Sequence, residues 1–111
     1  MDHEKLGCYQ QRVRAAGGLA KRVAKWPRGY GNLSDQVMRA MTSAVLNLAE
    51  GNGKRSSRAE RRRFFEISLG SIAEVGAGID LACAFRLLPP PDAAVLKSLL
   101  KLASVKIRAL P

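Results

Sequence analysis

Arg58-Ala59-Glu60-Arg61-Arg62-Arg63-Phe64-Phe65-Glu66-Ile67-Ser68-Leu69-Gly70-Ser71-Ile72-Ala73-Glu74-Val75-Gly76-Ala77-Gly78-Ile79-Asp80-Leu81-Ala82-Cys83-Ala84-Phe85-Arg86-Leu87 is the longest periodic stretch of the chain. Within it Phe65, Ser68, Ile72, Val75, Ile79 and Ala82 recur at alternating steps of three and four. That spacing returns side chains to one face of a helix and makes the seam of a bundle; a strand would alternate at every second residue. Ser57 and Glu60 read as a capping box at its start, the hydroxyl accepting an orphan N–H and the carboxylate reaching back. Pro89-Pro90-Pro91 closes the segment, because a residue before proline is pushed out of the helical region.

The flanking segments carry the same period. Upstream, Leu33, Val37, Met41, Val45 and Leu48 make one stripe of a helix that begins at Leu33 or Ser34 and ends at Glu50. Asn32 or Ser34 is its expected N-cap and Gly51 its expected left-handed C′ residue. Before it, Leu6, Val13, Leu19 (or Ala20) and Val23 mark a first helix over 4–25, ended by Trp26-Pro27. Downstream, Val95 (or Leu96), Leu99, Leu102 (or Ala103) and Lys106 (or Ile107) mark a fourth over 92–109. Asp92 near its start suits the helix macrodipole. Long helices with short breaks predict an all-α, antiparallel up-down-up-down four-helix bundle, with residues 1–111 as one domain.

Hydrophobic residues are 47% of the chain, which excludes a disordered polyelectrolyte. No apolar run approaches the ~20 residues of a membrane span. The start Met1-Asp2-His3-Glu4-Lys5 lacks the apolar stretch of a signal peptide. A cytoplasmic protein without a membrane partner is expected. Cys8 and Cys83 have neither metal-ligand nor redox-pair spacing and read as packed thiols.

A catalytic constellation is not visible. His3 is the single histidine, so a His-dependent triad or a multi-His metal site cannot be built within one chain. Gly51-Asn52-Gly53-Lys54 follows a helix, not a strand, and lacks the Walker spacing. Glu50, Glu66 and Glu74 are the carboxylates that could pair for acid–base work, but Glu66 stands one turn after Arg62, at the spacing of a surface ion pair. The expectation is a binding protein that is not an enzyme and uses no cofactor or metal.

What it binds is suggested by charge. Lys and Arg number 19 against 9 Asp and Glu, a net +10, which attracts polyanions. Lys54, Arg55, Arg58, Arg61, Arg62 and Arg63 lie together. Most such runs are solvated faces. These arginines, however, occupy the first turns of the third helix, where a cation opposes the dipole by a few tenths of a kcal/mol each, at about the low end of the usual range. A cluster that opposes local stability is better explained by an anionic ligand at the helix N-terminus, with bidentate phosphate donors around it. A second cluster, Lys21, Arg22, Lys25 and Arg28, ends the first helix; there cations suit the dipole, and the bundle is expected to keep the two clusters apart within one chain unless oligomerisation brings them together. Gly70, Ser71, Ala73, Gly76, Ala77 and Gly78 weaken the third helix, and their small size implies a closely approaching helix, from this bundle or another subunit.

Gln36, Arg39, Ala40 and Ser43, then Asn47-Leu48-Ala49-Glu50-Gly51, then Phe64, Ile67, Gly70-Ser71 and Glu74 resemble the pattern of a bacterial four-helix-bundle family. Its members include proteins encoded within ribosomal-RNA intervening sequences. Trp26-Pro27 stands where that family tends to have Phe-Pro, and Val45-Leu46 where many members have a proline. The resemblance spans residues 26–85. It implies a bundle able to assemble as a homopentamer, with relatives that are accessory proteins of diversity-generating retroelements. Two functions follow as expectations. One is a basic nucleic-acid-binding accessory protein, RNA or DNA, that partners a reverse transcriptase. The other is an assembly module whose basic face meets an acidic protein.

Overall fold

The computed structural model describes the backbone at 3–54 and 57–108 and side chains at 6–54 and 57–102. Among the described residues the chain forms four helices, α1 (His3–Val23), α2 (Gly31–Gly53), α3 (Arg58–Ala84) and α4 (Pro90–Arg108), and a short 3₁₀ turn at Arg28–Tyr30. Among the described residues there is no strand. α1 packs on α2 and α4, and α3 packs on α2 and α4.

The α3 seam forms as its spacing predicts: Phe65, Ser68, Ile72, Val75, Ile79 and Ala82 are all buried. Ser57 caps the helix, its hydroxyl accepting from Glu60 N–H at 3.2 Å. α2 contributes Val37, Met41 and Leu48, with Ala40 and Ala44 completing its inner face. Contacts between the two run from Val37 beside Gly78, through a Ser71–Ser43 hydroxyl bond of 2.9 Å and a Ser68-to-Ala44 carbonyl bond of 2.6 Å, to Phe65 beside Gly51. α1 meets α4 where Arg22 stands 3.4 Å from Asp92 and Gly18 lies against Leu96.

Several expectations need correction. Gly51 is not a left-handed C′ residue: α2 continues to Gly53, and no described glycine has positive φ. A Cβ on Gly51 would lie 2.5 Å from Phe65 Cε1, so its small size admits the Phe65 ring. Neither Asn32 nor Ser34 caps α2. The helix starts directly from the 3₁₀ turn, and Ser34 Oγ donates back to the Tyr30 carbonyl at 3.2 Å. In α1, Leu6 and Val13 are exposed, and the inner face is Cys8, Arg12, Ala15 and Leu19. In α4, Val95 and Leu102 are exposed and Ala93, Leu96 and Leu100 are buried; Ala103, Lys106 and Ile107 lie outside the described side chains. Of the α3 glycines only Gly78 meets a neighbouring helix; a Cβ on Gly70 or Gly76 would find nothing within 4 Å. Contrary to the expectation that no apolar run approaches a membrane span, α3 is long and apolar enough to cross a membrane by length and composition alone. Cys8 and Cys83, by contrast, are free thiols as expected.

The end of α3 is a Schellman turn. Leu87 N–H donates to Ala82 O at 2.8 Å and Arg86 N–H to Cys83 O at 3.0 Å, the bond pair that defines the motif. Arg86 takes the left-handed position, with φ 61°. Phe85 beside it stacks obliquely on Tyr30, ring centroids 5.7 Å apart, fastening this turn to the turn before α2.

Candidate nucleic-acid interface

The arginine cluster is built by the start of α3. Ser57 fixes the first turn, and Arg61 N–H closes it on the Ser57 carbonyl at 3.1 Å. Arg58, Arg62 and Arg63 are exposed, and Arg61 is half-buried because its turn lies against Gly51 and Phe65. Glu60 is the single acid in the first turn. Three exposed guanidinium groups therefore lie in the first two turns of a helix whose N-terminal dipole already favours anions.

Lys54 belongs to the structure as much as to the cluster. Its N–H closes the end of α2 on Gly51 O at 3.2 Å, and its ammonium lies 3.8 Å from Glu50 and 5.7 Å above the Phe64 ring centroid. Such contacts hold the side chain against the protein surface. Arg55 lies outside the described residues.

The second cluster divides in the same way. Arg22 is committed: Nη1 donates to the Gly18 carbonyl at 2.9 Å and Nε faces Asp92. Lys21 and Lys25 are exposed, and Arg14, which the charge reading passed over, is exposed about two and three helical turns before them on α1. The two clusters are not brought together. The first lies beside Phe65, which packs with Cys8; the second begins 13 residues further along α1, about 20 Å at 1.5 Å per residue.

The polar residues of the motif pattern also separate. Asn47 Nδ2 donates to the Ser43 carbonyl at 2.8 Å and its hydroxyl at 3.0 Å, and that hydroxyl is the one Ser71 reaches. This is a structural knot across α2 and α3. Glu50 and Glu74 are exposed. Asp35, Met38, Arg39, Thr42 and Leu46 line an open groove beside this knot.

A second charged residue, Arg12, also escaped the sequence reading. Arg12 is 0% exposed, and its Nε, Nη1 and Nη2 are buried without hydrogen-bond partners among the described residues. Burial lowers its pKa to about 10, opposed by the nearby Cys8. Its position in line with Cys8, Ala15 and Leu19 was the available signal, but charge is ordinarily read as surface.

The sequence matches the family model described as 23S rRNA-intervening sequence protein over residues 4–109. No curated protein matches the chain.

Proposed function

We propose that this chain, which belongs to the 23S rRNA-intervening sequence protein family, is an RNA-binding accessory protein that holds phosphates at the N-terminus of α3. The family supports an RNA-related role. The observation that carries the site is the exposure of Arg58, Arg62 and Arg63 at a helix end where a cation is locally unfavourable, while Arg22 and Lys54 are engaged in the protein's own contacts. Lys21 and Lys25 form a secondary phosphate-binding site on the same reading. A reverse transcriptase partner is implied by the resemblance alone, and the family match does not reach it.

The same proposal takes the bundle as antiparallel up-down-up-down and the protein as a cytoplasmic homo-oligomer, with a pentamer favoured by the resemblance. The arrangement is supported by contacts whose residue numbers rise on one helix as they fall on its neighbour: Val37 with Gly78 and Gly51 with Phe65, Gly18 with Leu96 and Arg22 with Asp92.

A filter-binding titration of RNA and DNA across salt tests the function. Affinity should fall steeply with salt, because each neutralised phosphate releases counterion. Replacing Arg58, Arg61, Arg62 and Arg63 by Ala should weaken binding to unrelated sequences alike, since backbone contacts carry no sequence code. Unchanged affinity of that variant at low salt would sink the proposal.

A further inference from the structure

The turn after α3 meets the turn before α2 through one aromatic pair, Phe85 against Tyr30, with ring planes tilted by 32°. Tyr30 is half-buried. Phe85 is 46% exposed, and among the described residues every other exposed large apolar side chain is aliphatic. Holding the two turns together accounts for the part of the ring that touches Tyr30. It does not account for the part left in water, which costs free energy to keep there.

Cations frame the pair. Arg86 follows Phe85, Arg28 precedes Tyr30 by two residues, and Lys25 stands three residues before that. All three are exposed, and among the described residues no hydrogen bond or ion pair engages their side chains. Neither 24–34 nor 81–91 contains an Asp or Glu. Asp92, just beyond the second stretch, faces Arg22.

Arg86 separates a binding surface from an ordinary turn. It holds the left-handed position of the Schellman motif, φ 61°, where glycine is the usual occupant because it has no Cβ. Any other side chain there is strained, and backbone strain of this kind is concentrated at functional sites. The turn itself makes no use of the guanidinium: both of its bonds are backbone bonds, Leu87 N–H to Ala82 O and Arg86 N–H to Cys83 O. What the arginine adds is a cation next to the exposed ring.

We propose that Phe85 and Tyr30 form a stacking platform for unpaired RNA bases, with Arg86, Arg28 and Lys25 holding the phosphates on either side. Every nucleobase has a π-face, so stacking on an aromatic ring tolerates any sequence, while the surrounding cations follow the backbone. A duplex offers the same phosphates but keeps its bases stacked inside, so the platform selects single strands. The arginines at the start of α3 have no exposed aromatic ring among them and take phosphate from either form. This inference rests on the RNA-binding reading above, and gives the weaker basic cluster a task of its own.

The test is fluorescence anisotropy with a dye-labelled adenine oligoribonucleotide, an abasic strand of equal length and charge, and an RNA duplex. Wild type should bind the adenine strand about ten-fold more tightly than the abasic strand, and more tightly than the duplex. Phe85→Leu keeps an apolar side chain and removes the π-face; it should bring the adenine strand down to the affinity of the abasic one, whereas Phe85→Tyr should bind as wild type does. Arg86→Gly suits the left-handed turn, so it should hold or raise the melting temperature while weakening both strands alike. Circular dichroism checks each fold, and Arg86→Gly keeps the test decisive if Phe85→Leu unfolds. Equal wild-type affinity for the adenine and abasic strands would overturn the platform. So would a folded Phe85→Leu that keeps the wild-type preference, or an Arg86→Gly of unchanged affinity at low salt. Replacing Arg58, Arg61, Arg62 and Arg63 by Ala should lower affinity and leave the preference for adenine intact; if that variant binds as wild type, the α3 site falls and the platform stands. A wild type that binds none of the three probes at low salt would overturn both.

Discussion

Val37 of α2 occupies the space into which a Cβ on Gly78 of α3 would project. The two helices approach closely here because one of them carries no side chain. Gly78→Ala gains about 1 kcal/mol of helix propensity but forces Val37 aside, and overpacking of that kind costs about 1–3 kcal/mol. The net expected outcome is a lower melting temperature. Gly76→Ala, two residues earlier and with nothing within 4 Å of the new methyl, should raise it. Thermal melts of the two variants check the pair, and a stabilising Gly78→Ala would refute the close approach.

Arg12 should be a net cost to the fold. Burial lowers its guanidinium pKa from the ordinary arginine value to about 10. Below pH 10 the cation is present in both states and the cost of burying it is complete, about 3 kcal/mol on linkage arithmetic. Above about pH 10 the folded chain releases a proton that the unfolded chain still keeps, so this contribution to stability rises with pH. Arg12→Met keeps the bulk and removes the charge, and should stabilise the protein at neutral pH by about 1–3 kcal/mol. Urea unfolding at pH 7 and near pH 11 should show the advantage of the variant shrinking at the higher pH.

Helix α3 depends on its first turn. Ser57→Ala removes the acceptor for Glu60 N–H and should cost about 1 kcal/mol. If the arginines are held for phosphate, the same change should also weaken RNA binding through fraying, and Ser57→Asp should restore both. Paired melting and filter-binding measurements read the two effects.

The exposed arginines should appear in the salt dependence. Replacing Arg58, Arg62 and Arg63 by Ala should flatten the slope of log affinity against log salt by about 2 for single-stranded RNA, near 0.7 per lost phosphate contact. The fold should keep or slightly raise its melting temperature, since three cations leave a helix N-terminus. A large fall in melting temperature would assign these side chains a structural role instead.

The sequence disclosed α3 almost completely because its inner face is large and regular. Phe65, Ile72, Val75 and Ile79 cannot be mistaken for surface. It disclosed α1 and α4 less well. Their inner faces use Cys8, Ala15, Ala93 and the charged Arg12, while larger apolar residues such as Leu6, Val13 and Val95 point outward, so a reading weighted by hydrophobic bulk selects the wrong stripe. Gly51 misled for a related reason: glycine ends helices by its freedom at positive φ, but here it serves by its size against Phe65. For the site, charge and helix position located the arginines, whereas the engagement of Arg22 and Lys54 depends on Asp92 and Phe64, contacts that only the folded chain creates.

Trp26 is the chain's single tryptophan, 8% exposed and packed into the main core just after α1 ends. The protein therefore has a built-in optical reporter. Its indole emission should be blue-shifted in the native state and move to the red when α1 leaves the bundle, from one defined place and without a label. The variants discussed above leave this fluorophore unchanged, so their unfolding can be followed on a common signal.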